Sequence, residues 1–393
     1  MPDQTTILIG HFLPSALSGA ERSIADLVAA LGDRSAPGGG RFRFIMLVPG
    51  EGRLADFYRD CGCEVWVENI STPRRLYPGL HTAQSWLLAR KLKAAGVDAV
   101  IANTFAAASR LRTAARLAGL PLGVFVREII ADRPLHREIL AQADLVMVIS
   151  KDLQAYVSTL TDPTRVVLTY NYINPRPIVA RGEAHRRSGR RRLPFDRRHP
   201  VVGMIGRITR WKQQDLLLRA APLILAEVPE TRFVIVGDAE DRSLDYQAEL
   251  HALVDSLGLG DVVAFMGNRK DAIEITTELA VSCLASTREP LGRVILEAHL
   301  LGTPVVVSDR GGPAEIVTAG ETGLMFDPTA PDAVEQLAAQ VVRLLRDPEL
   351  RRCLTENAQQ TINETFAGRR HIEIQQAFFE RLAGQKEQAD VLS

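Results

Sequence analysis

Short apolar runs alternate with amphipathic stretches along most of this chain. Runs of three to five residues recur at Thr6 to Ile9, Phe44 to Val48, Val65 to Val67, Ala99 to Ala102, Leu122 to Phe125 and Leu145 to Ile149. Between them lie segments with apolar residues at three- and four-residue spacing: Ala20 to Leu31, Leu54 to Cys61, Ala83 to Ala95 and Ser109 to Leu117. A short apolar run, a turn and an amphipathic helix, repeated, predict strand–helix units and a parallel, doubly wound sheet. Right-handed crossovers then set its handedness.

The pattern breaks between Asn171 and His199, where Pro175, Pro177 and Pro194 accompany Arg181, Arg186, Arg187, Arg190, Arg191, Arg192, Arg197 and Arg198. This basic stretch, 176–199, is placed as a linker and solvated loop rather than a polyanion-binding patch. The alternation resumes at Val201 to Ile205 and continues through Phe233 to Val236, Val262 to Phe265, Val281 to Ala285 and Pro304 to Val307. After Asp327 only helical periodicity remains, in Pro331 to Leu345, Glu349 to Phe366 and Arg370 to Leu382. The expectation is two Rossmann-like domains, 1–175 and 200–367, and 393 residues are enough for two cores.

Lys plus Arg and Asp plus Glu both number 47, so no global field favours nucleic acid. Cys61, Cys63, Cys283 and Cys353 have neither disulfide-framework nor zinc spacing and read as reduced packing residues. Nothing requires a metal or another cofactor: there is no Asp-x-Asp pair and no spaced His/Cys cluster. The Gly-x-Gly-x-x-Gly, Walker and Gly-x-Ser-x-Gly motifs of dehydrogenases, NTPases and serine hydrolases are also missing. Without a long apolar stretch or a signal-like N-terminus, a cytoplasmic location is expected.

In an open parallel sheet ligands sit beyond the carboxyl ends of the strands, so the loops after the apolar runs carry the candidate chemistry. The segment Ser286-Thr287-Arg288-Glu289-Pro290-Leu291-Gly292-Arg293-Val294-Ile295-Leu296-Glu297 follows a strand and predicts a helix from about residue 291. The amide end of such a helix seats phosphate without a metal. Glu289 and Glu297, flanking that seat, suit hydroxyls of sugar rings on either side of a diphosphate. A second loop, Gly206-Arg207-Ile208-Thr209-Arg210-Trp211-Lys212, offers a guanidinium fork and a point charge to phosphate oxygens. A third, Ser308 to Glu315, carries Gly311-Gly312. Near the N-terminus, Ser18-Gly19-Ala20-Glu21 opens a helix after the first strand. Arg110, Arg112 and Arg116, with Arg74 and Arg75, form a basic set that would suit an anionic lipid surface, although ordinary solvated arginines are the preferred reading.

These segments together resemble the retaining glycosyltransferases of family 4, which have the two-domain GT-B fold. The resemblance rests on Glu-x7-Glu at Glu289 and Glu297, Gly206-Arg207 with Lys212, Phe233 to Asp238, Gly302 to Asp309 with Gly311-Gly312, and Glu321 to Leu324. It implies transfer of a sugar from a nucleoside-diphosphate sugar to a sugar, small-molecule or lipid-linked acceptor, without a metal. The implied roles are Arg207 and Lys212 on the diphosphate, Glu297 on the ribose, and Glu289 with the backbone of Leu291, Gly292 and Arg293 on the donor sugar. Backbone N–H groups of Ile295 and Leu296, with Gly206 and Gly19, would complete the seat, and the final helix, within 368–393, would return to the first domain. Where many relatives have a histidine after a mid-domain strand, this chain has Val126-Arg127-Glu128, so Arg127 and Glu128 become candidate acceptor or sugar contacts. A non-catalytic nucleotide-sugar-binding protein of the same fold is the competing reading.

Overall fold

The computed structural model describes residues 4–11, 19–32, 40–68, 78–240 and 243–384. Two compact units divide the chain: Met1–Asn174 with Ala367–Ser393, and Pro175–Phe366.

The first unit contains β1 (Thr5–Gly10), α1 (Gly19–Gly32), β2 (Phe42–Val48), α2 (Arg53–Asp60), β3 (Glu64–Val67), α3 (Pro78–Ala94), β4 (Ala99–Ala102), α4 (Phe105–Ala118), β5 (Leu122–Val126), α5 (Pro134–Ala141), β6 (Leu145–Val148), α6 (Lys151–Val157) and β7 (Val166–Leu168). Among the described residues the strands form one parallel sheet in the order β3-β2-β1-β4-β5-β6-β7. Every residue of β1, β4, β5 and β6 is buried, as expected of central parallel strands with both faces covered. Helix starts are fixed locally: the Thr104 hydroxyl accepts from Ala107 N–H at 3.2 Å and the Ser150 hydroxyl from Leu153 N–H at 3.3 Å.

The second unit contains α7 (Pro175–Ser188), β8 (Val201–Ile205), α8 (Gln214–Glu227), β9 (Arg232–Val236), α9 (Leu244–Ser256), β10 (Val263–Phe265), α10 (Ala272–Thr276), β11 (Val281–Leu284), α11 (Arg293–Leu300), β12 (Val305–Ser308), α12 (Pro313–Ile316), β13 (Leu324–Phe326), α13 (Ala333–Arg346) and α14 (Pro348–Thr365). Its parallel sheet runs β10-β9-β8-β11-β12-β13. Each unit is thus a Rossmann-like α/β fold with its own core, one built around Ile7, Met46, Ile101 and Phe125, the other around Val202, Phe233, Val281 and Val306.

α15 (Arg369–Leu382) completes the first unit although it comes last in sequence. Phe378 and Phe379 are wholly buried in the first core, and Phe379 meets Phe42 and Phe44 edge-on at 5.7 and 5.6 Å between ring centroids. Leu382 fills the space left by the missing side chain of Gly123: a Cβ there would lie 2.8 Å from its Cδ2. Gln375 donates to the Tyr170 carbonyl at 2.9 Å, and Arg41 pairs with Glu380 at 3.2 Å.

Three expectations change. The basic stretch placed as a linker is instead a helix, α7, followed by an irregular segment packed on the second unit: Ile178, Gly182 and His185 are buried. Its polar side chains have partners, Arg181 on Glu274 at 2.7 Å, His185 on Glu278 at 2.7 Å and Arg192 on Asp271 at 3.4 Å. The cysteines are not all packing residues: Cys283 is buried, whereas Cys61 and Cys353 are exposed. Arg112 is not a surface charge either, being 7% exposed and paired with Glu138 at 2.9 Å, while Arg74 and Arg75 lie outside the described residues. No helix among the described residues is long and apolar enough to cross a membrane.

Candidate functional site

Three of the loops singled out from the sequence converge at the carboxyl ends of the adjacent strands β8, β11 and β12, in the second unit. After β8, a single 3-10 turn, Arg210–Lys212, is closed by Lys212 N–H on Thr209 O at 2.9 Å, and Gln213 at φ 50° turns the chain into α8. After β11, Thr287 N–H donates to Trp211 O at 2.9 Å, tying the second loop to the first. After β12, Gly312 N–H donates to Glu289 O at 2.9 Å, tying in the third.

The side chain at this junction is Glu289. Lys212 Nζ lies 2.7 Å from its Oε2, and the Ser286 hydroxyl donates to the same oxygen at 3.2 Å. The Lys212 and Glu289 side chains are only 11% and 12% exposed, so the pair is largely removed from water. Such a pair is costly to assemble and costly to break by deleting one partner. Lys212 also lies 4.5 Å from the Trp211 ring centroid, which limits where its ammonium can move. Ser286, which sequence reasoning left without a role, therefore shares in holding the carboxylate. Its signal was its place at the mouth of a predicted strand.

The helix at this junction begins two residues later than expected. α11 starts at Arg293, and Gly292, at φ 96°, is its N-cap, so Pro290 lies outside the first turn. Ile295 N–H is engaged by Gly292 O at 2.9 Å. Arg293, 12% exposed, holds Glu297, 13% exposed, at 3.0 Å one turn along. A cation on the first helical residue adds to the positive end of the helix dipole, the reverse of the usual stabilising arrangement. The two signature glutamates thus each face their own cation, Lys212 for Glu289 and Arg293 for Glu297.

Arg207 differs in kind. It is paired with Glu240 at 2.8 Å, but both side chains are more than half exposed, 53% and 61%, so the pair is worth at most about 1 kcal/mol and yields readily to another anion. Glu240 carried no sequence signal. Gly206 lies against the Lys212 stem, from which a Cβ would stand 3.4 Å away, and Leu291 and Leu296 are buried.

Gly19, Arg127 and Glu128 belong to the first unit. Gly19 opens α1 and is exposed; Ser18 lies outside the described residues. Arg127 follows β5, donates to the Asn171 side chain and stands 4.0 Å over the Phe125 ring, while Glu128 is exposed. Among the described residues, no group of three or more His, Cys, Asp or Glu side chains is placed to hold a metal ion.

Comparison with known proteins matches residues 186–361 to the family of glycosyl transferases group 1 and residues 17–176 to glycosyltransferase family 4. A lipopolysaccharide core biosynthesis glycosyltransferase, LpsE of Rhizobium meliloti, is 29% identical over 245 residues, 62% of this chain and 66% of that one. LpsD of the same organism is 27% identical over 89% of this chain and 91% of its own length. The chain spans between 32% and 66% of the first few curated relatives it matches, apart from LpsD. The Anabaena protein HepE, solved in complex with UDP-glucose, shares the fold at a TM-score of 0.77 and 24% identity over 97% of this chain and 100% of that one.

Proposed function

We propose, for a chain whose two halves each match a glycosyltransferase family model, that it moves a sugar from a nucleoside-diphosphate sugar to an acceptor hydroxyl with retention of configuration and without a metal. The observation that carries the reading is the convergence of three strand-end loops on the buried Lys212–Glu289 pair beside the amide end of α11. Arg293 at the start of that helix concentrates further positive potential there, which is unfavourable for an empty helix end and favourable for one that faces a diphosphate.

In this reading Lys212 and Arg207 hold diphosphate oxygens, Arg207 leaving its exposed partner Glu240 to do so. Lys212 stays beside Glu289 throughout, and that pair fixes the carboxylate to accept hydrogen bonds from hydroxyls of the donor sugar. Glu297 is oriented by Arg293 towards the ribose. The bond between the sugar anomeric carbon and the leaving phosphate oxygen breaks as the acceptor oxygen bonds to that carbon on the same face. The acceptor proton passes to the departing phosphate, so no enzyme base is obligatory. Negative charge grows on the phosphate where ammonium, guanidinium and N–H donors are already in place, and losing one such donor costs about 3 kcal/mol, roughly a hundredfold in rate. HepE was solved with UDP-glucose, so UDP-sugars are the first donors to test here.

The test is multiple-turnover release of nucleoside diphosphate from UDP-, GDP-, ADP- and TDP-sugars with pooled hydroxyl acceptors. Lys212→Ala and Glu297→Ala are each expected to cut turnover about a hundredfold with far-ultraviolet circular dichroism retained. Full turnover in both variants sinks the site assignment. Binding of a nucleotide sugar without any turnover would instead establish the competing reading of a binding protein.

A further inference from the structure

The first sheet has its own topological switch point, and the proposed reaction leaves it unused. The strand order puts β1 beside β4, with the chain running out through β2 and β3 on one side and through β5, β6 and β7 on the other. In open parallel sheets the crevice beyond the carboxyl ends of two such strands is where ligands bind. His11 is the residue after β1 and Asn103 the residue after β4, and the backbone holds both there. Asn103 N–H donates to Gly10 O at 3.0 Å and His11 N–H to Leu47 O at 2.8 Å.

Both side chains are buried, His11 6% exposed and Asn103 not at all. They meet through one atom pair, Asn103 Nδ2 and His11 Nδ1 at 3.3 Å, with the Tyr58 hydroxyl 3.5 Å from the same ring nitrogen. Their remaining polar atoms, His11 Nε2 and Asn103 Oδ1, have no hydrogen-bond partner among the described residues. Leaving a buried polar atom unsatisfied costs about 1–3 kcal/mol, so one on each of two contacting side chains at a switch point calls for a reason.

The chemistry of the pair identifies what fits. Burial, and then the charge of Arg127, push the His11 imidazole down to about 3, so the ring is neutral at physiological pH. A neutral ring has one donor and one acceptor. With the amide as placed, Nδ1 accepts from Asn103, Nε2 carries the proton and Oδ1 accepts. With the amide reversed, Nδ1 donates to the amide oxygen, Nε2 accepts and the amide nitrogen donates. Either way the pair presents at least one free donor and one free acceptor, the complement of an alcohol group, which both donates and accepts.

Resting on the transferase reading above, we propose that His11 and Asn103 form a subsite in the first unit that binds a hydroxyl group of the acceptor sugar or polyol. The two residues position the acceptor and take no part in bond making.

The test uses the full chain labelled with ¹⁵N-histidine, His11 being assigned by His11→Gln. Its ring nitrogens are followed during titration with methyl α-D-glucopyranoside, methyl α-D-galactopyranoside and methyl α-D-mannopyranoside. The expected result is a neutral ring at pH 7 with a saturable shift of the His11 resonances caused by at least one glycoside. The near-isosteric Asn103→Leu should weaken that shift tenfold or more in apparent Kd. No shift with any of the three overturns the proposal and leaves an enclosed water as the occupant of the site. Nucleoside-diphosphate release is measured on the same sample. Release without a His11 shift removes the subsite and spares the transferase. A shift without release removes the transferase reading, and with it the acceptor role of the site.

Discussion

The carbonyl oxygen of Glu289 accepts the Gly312 N–H at 2.9 Å, which locks a signature residue of one strand-end loop to the glycine pair of the next. The glycines are required by space. Gly311 has φ 62°, and a Cβ on Gly312 would lie 2.2 Å from the Leu291 Cα and 2.6 Å from its carbonyl oxygen. Backbone cannot yield to that contact without moving residues 289–292. Gly312→Ala is therefore expected to lower turnover at least tenfold and reduce the thermal midpoint, despite adding only a methyl group. Wild-type kinetics in this variant would show that the loop position does not matter.

Lys212 and Glu289 should be strongly coupled. Removing the ammonium alone strands a carboxylate that is 12% exposed, at a cost of about 3 kcal/mol or more, whereas removing both partners spares that penalty. Lys212→Ala should consequently destabilise the protein more than Lys212→Ala combined with Glu289→Ala. Denaturant melts of the two singles and the double give the coupling energy, and additivity within about 0.5 kcal/mol would show that the pair is not energetically real.

Acid should weaken the first unit before its carboxylates titrate. Burial lowers His11 to about 3 and His371 to about 4, below the ordinary value of 6.5. The unfolded chain therefore takes up protons first as pH falls below 6.5, and stability that is whole above that pH declines towards pH 4. Two such groups remove about 4 kcal/mol by pH 5. Melting curves between pH 7 and 5 should show this slope, and His371→Gln should roughly halve it. A wild-type midpoint that is flat over this range contradicts the burial of neutral imidazoles.

Most strands and helices were legible because apolar period-two and period-3.6 runs respond only to local burial. β7, Val166–Leu168, and β13, Leu324–Phe326, each three residues long, were not singled out in the sequence. α7 escaped because of its polar side chains. Its Arg181 and His185 look solvated until the acids that meet them, Glu274 and Glu278, are brought in from about ninety residues away. The site was half legible in the same sense. Glu289, Lys212 and the glycine pair were marked by residue type and by their place after strands, and the structure brings them together. That Glu289 turns to Lys212, Glu297 to Arg293 and Arg207 to Glu240 depends on rotamers and long-range register that no local pattern encodes.

Phe379 tests the attachment of the last helix. It is wholly buried between Phe42 and Phe44, so Phe379→Ala should cost about 3–5 kcal/mol. The loss belongs to the first unit alone, so a calorimetric trace should show one transition moving down and the other staying. Movement of both together would show the units to melt as one.

The return of α15 sets the order in which this polypeptide can mature on the ribosome. Pro175–Phe366 is continuous and can fold as soon as it has cleared the exit tunnel, while the older N-terminal stretch still lacks Phe378, Phe379 and Leu382. The half synthesised first is thus finished only after the other, and until α15 emerges its aromatic cleft lies open to chaperones, or to the same helix of another nascent chain.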